Sequence, residues 1–392
     1  MPPETLSALA PPVRHKALHR GRASSGQAPR TRARVRTDVL FWLGCAGFAL
    51  VLALVTALTP HRVWGACAAV GYAVAAELAR RSPGPWGRRS AMAALLGSVV
   101  VPLTLMVAVG SAQSEVHVVE HSGVLLLDAG SPYVPHPADV DDYDPYLPGM
   151  ALFGIPHVLF GGTPLADARV WFCAAFLACL LVAARRPGRN SLRRSWTQGR
   201  RGAGYEASAV DAVLLLAAFP AVALPLAVGG IDLPVIGLMC LGLALAGRGG
   251  SGTAAGLAMG AAAALKWTAW PLLPVGLVLL AVTAGLWVAV RAGVVAVLVA
   301  ASAVVPVALA DPRAFVEHVV LFPLGEGGVR SPAASPLPGH LLATYVPGGS
   351  VLAMAALAAA ASAWRCHWRY ARPGPSSRPR TGWRSGWGRR CA

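Results

Sequence analysis

The chain does not alternate polar and apolar positions as a half-buried strand or a surface helix would. Its apolar residues come in long runs, at 39–58, 64–78, 91–110, 168–184, 208–228, 233–246, 253–265, 272–289, 293–309 and 351–364. A membrane-crossing helix takes roughly 20 mostly apolar residues, so the pattern predicts an all-α polytopic membrane protein, a bundle of about ten transmembrane helices. Pro60 stops the first run, and Pro220 and Pro225 bend the fifth. The apolar stretch 149–162 is too short to span and is interrupted by Pro156, which predicts an interfacial or re-entrant segment.

Charge gives the bundle a direction. The breaks at 80–89 and 185–201 are crowded with arginine, and so are the tails at 1–37 and 365–392. Counted from a cytoplasmic N-terminus, every basic break falls on one side, which satisfies the positive-inside rule. The expected division is a basic cytoplasmic tail over 1–37, a transmembrane domain over 38–364 with outer loops at 111–167 and 311–349, and a second basic tail over 365–392. The net charge of +17 is therefore topological, and no nucleic-acid partner is expected. With 55% hydrophobic and 13% charged residues and a mean hydropathy of +0.56, the chain lies far from a soluble domain. The first run follows a long basic segment and reads as an anchor rather than a cleaved signal. The cysteines have no CxxC spacing, and none falls in the outer loops, so they read as small apolar residues.

One stretch breaks the apolar monotony. Residues 111–148 carry Glu115, Glu120, Asp128, Asp139, Asp141, Asp142 and Asp144, and no Lys or Arg. Carboxylates gathered on the outer side make this the candidate site of chemistry. The segment around Glu115 and Glu120 is apolar enough to be helical. The run ADVDDYDPY is not an EF-hand loop, because Tyr143 stands at a ligand position and the glycine is missing; it reads as a solvated acidic turn, and no metal is expected. Opposite this insert lies Lys266, one of only two lysines among 34 basic residues, between an apolar run and Trp267 and Trp270. Snorkelling to the interface would explain it, and so would an anionic ligand near the outer headgroups. Asp232 occupies an outer turn, and Arg330 a late outer loop.

These features together resemble glycosyltransferase family 87, membrane sugar transferases of the GT-C architecture. The likeness rests on Glu115 followed by apolar residues and Gly130-Ser-Pro-Tyr133, on Tyr143-Asp-Pro-Tyr-Leu-Pro148, and on Lys266-Trp-Thr-Ala-Trp-Pro271. It continues through Phe322-Pro-Leu-Gly325 and Ser335-Pro-Leu-Pro-Gly-His340, so that it spans about 111–349. Glu115 stands where the family's acid is Asp, Val119 where an aromatic is expected, and the insert follows the third apolar run rather than the first. The resemblance implies transfer of a sugar, mannose or another hexose or pentose, from a polyprenyl-phosphate donor to a lipid or glycan acceptor. It implies inversion, no cofactor, and Glu115 as base with Glu120 as alternate. Lys266 and Arg330 would meet the phosphate, while His318, His340, Tyr133, Tyr146 and Asp232 would contact substrate. The expected location is the cell membrane, with both termini cytoplasmic and the site on the outer face. The rival reading is a transporter or lipid flippase, which would place ionisable residues at mid-membrane and often show an inverted repeat; no such repeat is evident. No Rossmann-like segment is present to hold a nucleotide sugar.

Overall fold

The computed structural model describes residues 27–82, 86–185 and 202–329, and beyond them 342–343, 345–349, 351–356 and 358–359. The chain divides into two units, Met1–Arg330 and Ser331–Ala392. In the second, residues 351–356 and 358–359 are helical, within the tenth apolar run. The first unit forms the helical bundle.

That unit is helical throughout, with no strand among the described residues. In chain order it runs α1 (Gln27–Val55), α2 (Thr59–Arg81), α3 (Arg88–Ala108), α4 (Ser114–Ala129), α5 (Ile155–Phe160), α6 (Ala168–Arg185), α7 (Gly202–Ala218), α8 (Pro220–Val228), α9 (Asp232–Gly247), α10 (Gly252–Leu265), α11 (Leu272–Ala284), α12 (Leu286–Ala310) and α13 (312–324). This is the all-α polytopic membrane protein that the apolar runs predict. By length and composition, four helices qualify as crossings among the described residues, or five if α7 and α8 form one broken span. Several of the ten apolar runs thus form helices shorter than a full crossing. A 14-residue helix such as α10 rises only about 21 Å, short of a hydrocarbon core of about 30 Å.

Two aromatic side chains repair the backbone where proline breaks it. Pro102 in α3 has no N–H to give to Ser98 four residues earlier, and a π-helical turn lies just before it. Trp64 Nε1 donates to that freed Ser98 carbonyl at 2.7 Å. Between α7 and α8, Phe219 is extended, as a residue before proline prefers, and the axis turns by 72°. Tyr72 Oη donates to the stranded Ala218 carbonyl at 2.6 Å. Both donors are fully buried, so each removes an otherwise costly unpaired carbonyl from an apolar interior.

Close helix contacts use small residues. Gly252, Gly256 and Gly260 form one stripe of α10 against Val288, Ala292 and Ala296 of α12; a Cβ on Gly256 would lie 2.5 Å from the Ala292 carbonyl oxygen. This is the small-residue packing that lets helix backbones meet in lipid. The turn between α11 and α12 falls at Gly285, whose φ is 102°. Arg291, expected in a loop, is instead inside the 25-residue α12. A glycine in the left-handed region can reverse the chain without any polar break, so hydropathy placed the turn six residues late.

The insert folds as its apolar content around Glu115 and Glu120 suggested. Residues 114–129 are the helix α4, which packs its Val116, Val119, Ser122 and Gly123 inward. Its Gly123 meets Gly154 backbone to backbone, closer than any side chain would allow. Residues 148–153 form a 3₁₀ turn leading into α5. The elements that flank α9, α10 and α13 meet this insert at one end of the bundle, where Leu147 N donates to Leu265 O at 3.1 Å. The basic break after α2 and the α9–α10 turn belong to the other end, where Arg88 lies 3.7 Å from Asp211 and Thr283 Oγ1 donates to Ala246 O at 2.7 Å.

Candidate active site

Lys266 lies directly after α10, in extended backbone, so its side chain leaves the helix axis and crosses to α9. Nζ donates to Asp232 Oδ1 at 2.6 Å and sits 5.4 Å from the centre of the Tyr146 ring. An ammonium has three donors, and this arrangement commits one and rests the charge on an aromatic face. The lysine side chain is 19% exposed and the aspartate 58%, so the pair forms a rim rather than a sealed bridge.

Glu115 occupies the exposed first turn of α4. Its charge reaches Tyr146, whose hydroxyl is pushed upward by burial, then by Asp144, Glu115 and Asp232. It also reaches His61 at the start of α2, whose Nδ1 is buried with no hydrogen-bond partner. Glu115, Asp232, Lys266 and Tyr146 therefore share one neighbourhood, contributed by α4, α9, α10 and the 143–147 loop. His61 completes it. A lone histidine in a short turn gave the sequence no signal, because only the tertiary fold brings it within reach of the Glu115 charge.

Glu120 is elsewhere. Five residues beyond Glu115 on a helix of 100° per residue, it points about 140° away. Its Oε1 accepts from Ala168 N at 3.0 Å at the start of α6, and its Oε2 lies 3.4 Å from His117 Nδ1 and 3.6 Å from His157 Nδ1. With a side chain 10% exposed and committed to a helix N-terminus, Glu120 joins the helices and does not face Lys266. It borders a separate cavity of about 450 Å³ with His117, His157, Asp167 and Arg169. Arg169 is fully buried there, held by both Asp167 oxygens and donating from Nη1 to Ser111 O at 2.7 Å.

Behind Tyr146 lies a buried polar core. Tyr133 Oη donates to Tyr146 O at 2.9 Å. His318 is fully buried between the Tyr133 and Tyr143 rings, each 5.2 Å away. Its Nδ1 accepts from Asp144 N at 3.0 Å and its Nε2 faces Val134 O at 2.8 Å, so the ring is the Nε2–H tautomer with both nitrogens used. Burial holds the imidazole below its usual value. Tyr133 and His318, expected to touch substrate, are thus one layer behind the rim. The acidic turn is solvated only in part: Asp142 caps its own turn through Ala138 N and Asp139 N, but Asp144 is 4% exposed and central to the core. A period-free polar run carries no sign of which aspartate turns inward. Arg330 and His340 lie outside the described residues.

An apolar cleft of about 310 Å³ is lined by Gly149, Leu152, Phe153, Trp171, Leu238 and Leu265 among others. Leu265 immediately precedes Lys266, and Gly149 follows the Tyr146 loop by two residues.

The family model of glycosyltransferase family 87 matches residues 145–381. The chain belongs to that family. It is a membrane glycosyltransferase. Tyr146, Asp232, Lys266 and His318 fall inside the matched residues, whereas Glu115, Glu120 and Tyr133 precede them. No curated protein and no solved structure matches the chain.

Proposed function

We propose that this family 87 glycosyltransferase takes its sugar from a polyprenyl-phosphate donor at the Lys266 rim and passes it to a lipid or glycan hydroxyl deprotonated by Glu115. The observation that carries the reading is an apolar cleft one of whose lining residues, Leu265, is the chain neighbour of the Lys266 cation. A lipid chain lying along Leu265 and Leu152 would bring its phosphate to the Lys266 ammonium. In the transfer, the acceptor hydroxyl gives its proton to Glu115 while its oxygen bonds to the anomeric carbon. The bond from that carbon to the phosphate oxygen breaks, and the polyprenyl phosphate leaves with its charge met by Lys266 and, in the late loop, Arg330. Attack opposite the leaving group inverts the anomeric centre. Tyr146 provides the surface under the ammonium, and Asp232 holds the ammonium until phosphate arrives. The protein sits in the cell membrane with both termini cytoplasmic and this rim on the outer face.

The test is transfer of radiolabel in membranes carrying the wild type, Glu115→Gln or Lys266→Ala. Polyprenyl-phosphate mannose, other polyprenyl-phosphate sugars and nucleotide sugars are supplied in parallel. Label should move from a polyprenyl-phosphate sugar and not from a nucleotide sugar, and Glu115→Gln should abolish it. Transfer from nucleotide sugar alone, or undiminished transfer by Glu115→Gln, overturns the reading.

A further inference from the structure

We propose that Asp144 works as a neutral carboxylic acid that positions Tyr146 beneath Lys266, a positioning residue for donor binding. The inference goes beyond the donor assignment and rests on it, because it takes the Lys266 rim as the phosphate site.

The geometry at Ser122 points to the proton. Its hydroxyl has one hydrogen and two oxygens within reach, Val118 O at 2.8 Å and Asp144 Oδ2 at 2.6 Å. A single hydrogen can serve both only as a shared, weaker bond; two full hydrogen bonds need a second hydrogen, which a carbonyl cannot bring. With the proton on Asp144 Oδ2, the acid donates to Ser122 Oγ and the serine donates to Val118, so the chain of bonds is complete. Asp144 Oδ1 meanwhile accepts from Tyr146 N at 2.9 Å, closing a turn typical of aspartate two residues ahead of its donor. No ion pair reaches the carboxyl among the described residues, and an unpaired buried carboxylate is costly. Burial accordingly pushes Asp144 up to about 7, against the opposing hydrogen bonds from Ser122 and Tyr146.

The groups facing Asp144 leave it few ways to be compensated. From α4 comes Ser122; from the preceding loop come Tyr133 and, within its own loop, Tyr146, both of which burial pushes upward. From α13 comes His318, kept neutral by burial and already accepting the Asp144 N–H. Glu317 and Asp142 face His318 and add negative charge, not positive. The loop is otherwise held by Tyr133 at Tyr146 O and by Leu147 N at Leu265 O, the residue before Lys266. Ionising Asp144 thus puts an uncompensated charge beside the one turn that places the Tyr146 ring.

The consequence is a donor KM that depends on pH for a reason outside the reacting atoms. A phosphodiester donor does not titrate near neutrality.

The experiment measures donor KM and kcat between pH 6 and 9 for the wild type, Asp144→Asn, Asp144→Ala and Lys266→Ala in membranes. Chymotryptic cleavage at Tyr143 and Tyr146 is followed at each pH. Wild-type KM should climb about tenfold per pH unit above 7 while kcat changes less, and cleavage should rise in parallel. Asp144→Asn, whose amide can donate to Ser122 Oγ and accept from Tyr146 N, should hold both flat. Asp144→Ala should show high KM and high cleavage at every pH. An Asp144→Asn enzyme with the wild-type alkaline rise, or one as impaired as Asp144→Ala, overturns the proposal. Lys266→Ala with unchanged KM would instead overturn the phosphate site, and the cleavage profile would still report on Asp144.

Discussion

Lys266 and Asp232, 34 residues apart on successive helices, meet at 2.6 Å with the Tyr146 ring beneath the ammonium. The pair is half in solvent, where an ion pair contributes about 0.2–1 kcal/mol, so a phosphate can displace the aspartate at little cost.

Lys266→Ala should raise donor KM by about 10- to 100-fold, the loss of one charge-assisted hydrogen bond to phosphate. Asp232→Asn, by releasing the ammonium, should leave donor KM unchanged or lower it by up to about fivefold. Steady-state transfer with varied donor measures both. A large rise in KM for Asp232→Asn would place that carboxylate on the sugar rather than on the lysine.

The two glutamates should separate. Glu115→Gln should cut kcat by about 10²- to 10⁴-fold with normal melting, as loss of a general base does. Glu120→Gln keeps an acceptor for Ala168 N and should leave kcat within about threefold, while lowering the melting temperature. Single-turnover transfer and thermal unfolding in detergent distinguish them; equal losses of kcat would contradict the division.

His318 and Asp144 should act on stability with opposite signs. His318 is lowered when folded, so its contribution is present above its ordinary unfolded value near 6.5 and is lost as pH falls. Asp144 is raised, so its contribution is complete below its ordinary value of 3.8 and is lost as pH climbs toward 7. Asp144→Asn should therefore expose a stability that rises with pH up to about 6.5. A neutral replacement, His318→Asn, should expose one that falls toward 7. Melting temperatures of the three proteins across pH 4 to 8 provide the check.

Packing of α10 on α12 offers a structural test. A β-branched Val at Gly256 would press on the Ala292 carbonyl, so Gly256→Val should cost at least about 1–3 kcal/mol. Gly44→Ala, with nothing within 4 Å of the new Cβ, should be neutral or slightly stabilising. Melting of each variant in the same detergent compares them.

Filling the apolar cleft should discriminate by lipid length. Ala261→Phe projects a ring between Leu238 and Leu265, and donor KM should rise for long-chain polyprenyl phosphates more than for a water-soluble short-chain analogue. Equal effects on both donors would remove the lipid chain from this cleft.

Much of this molecule is local in origin. Apolar runs, proline breaks and arginine-rich turns act over a few residues, and they determined an all-helical membrane bundle whose polar insert belongs with Asp232 and Lys266. The family resemblance, through the late motif Lys266-Trp-Thr-Ala-Trp-Pro271 and the Tyr143–Pro148 motif, likewise pointed to two stretches that the fold brings together. Helix phase, burial and long-range pairing are different in kind. Five residues along α4 decide that Glu115 faces the rim and Glu120 faces α6. A contact between Asp144 and His318, separated by 174 positions, turns one aspartate of an acidic run inward and leaves its neighbours in water. The turn at Gly285 needs only a left-handed φ, which hydropathy does not register. His61 feels the Glu115 charge only through the tertiary fold, 54 positions away in the chain. Sequence determined which segments leave water. Only the tertiary structure decided which polar groups they take with them, because that cost is settled by partners far away in the chain.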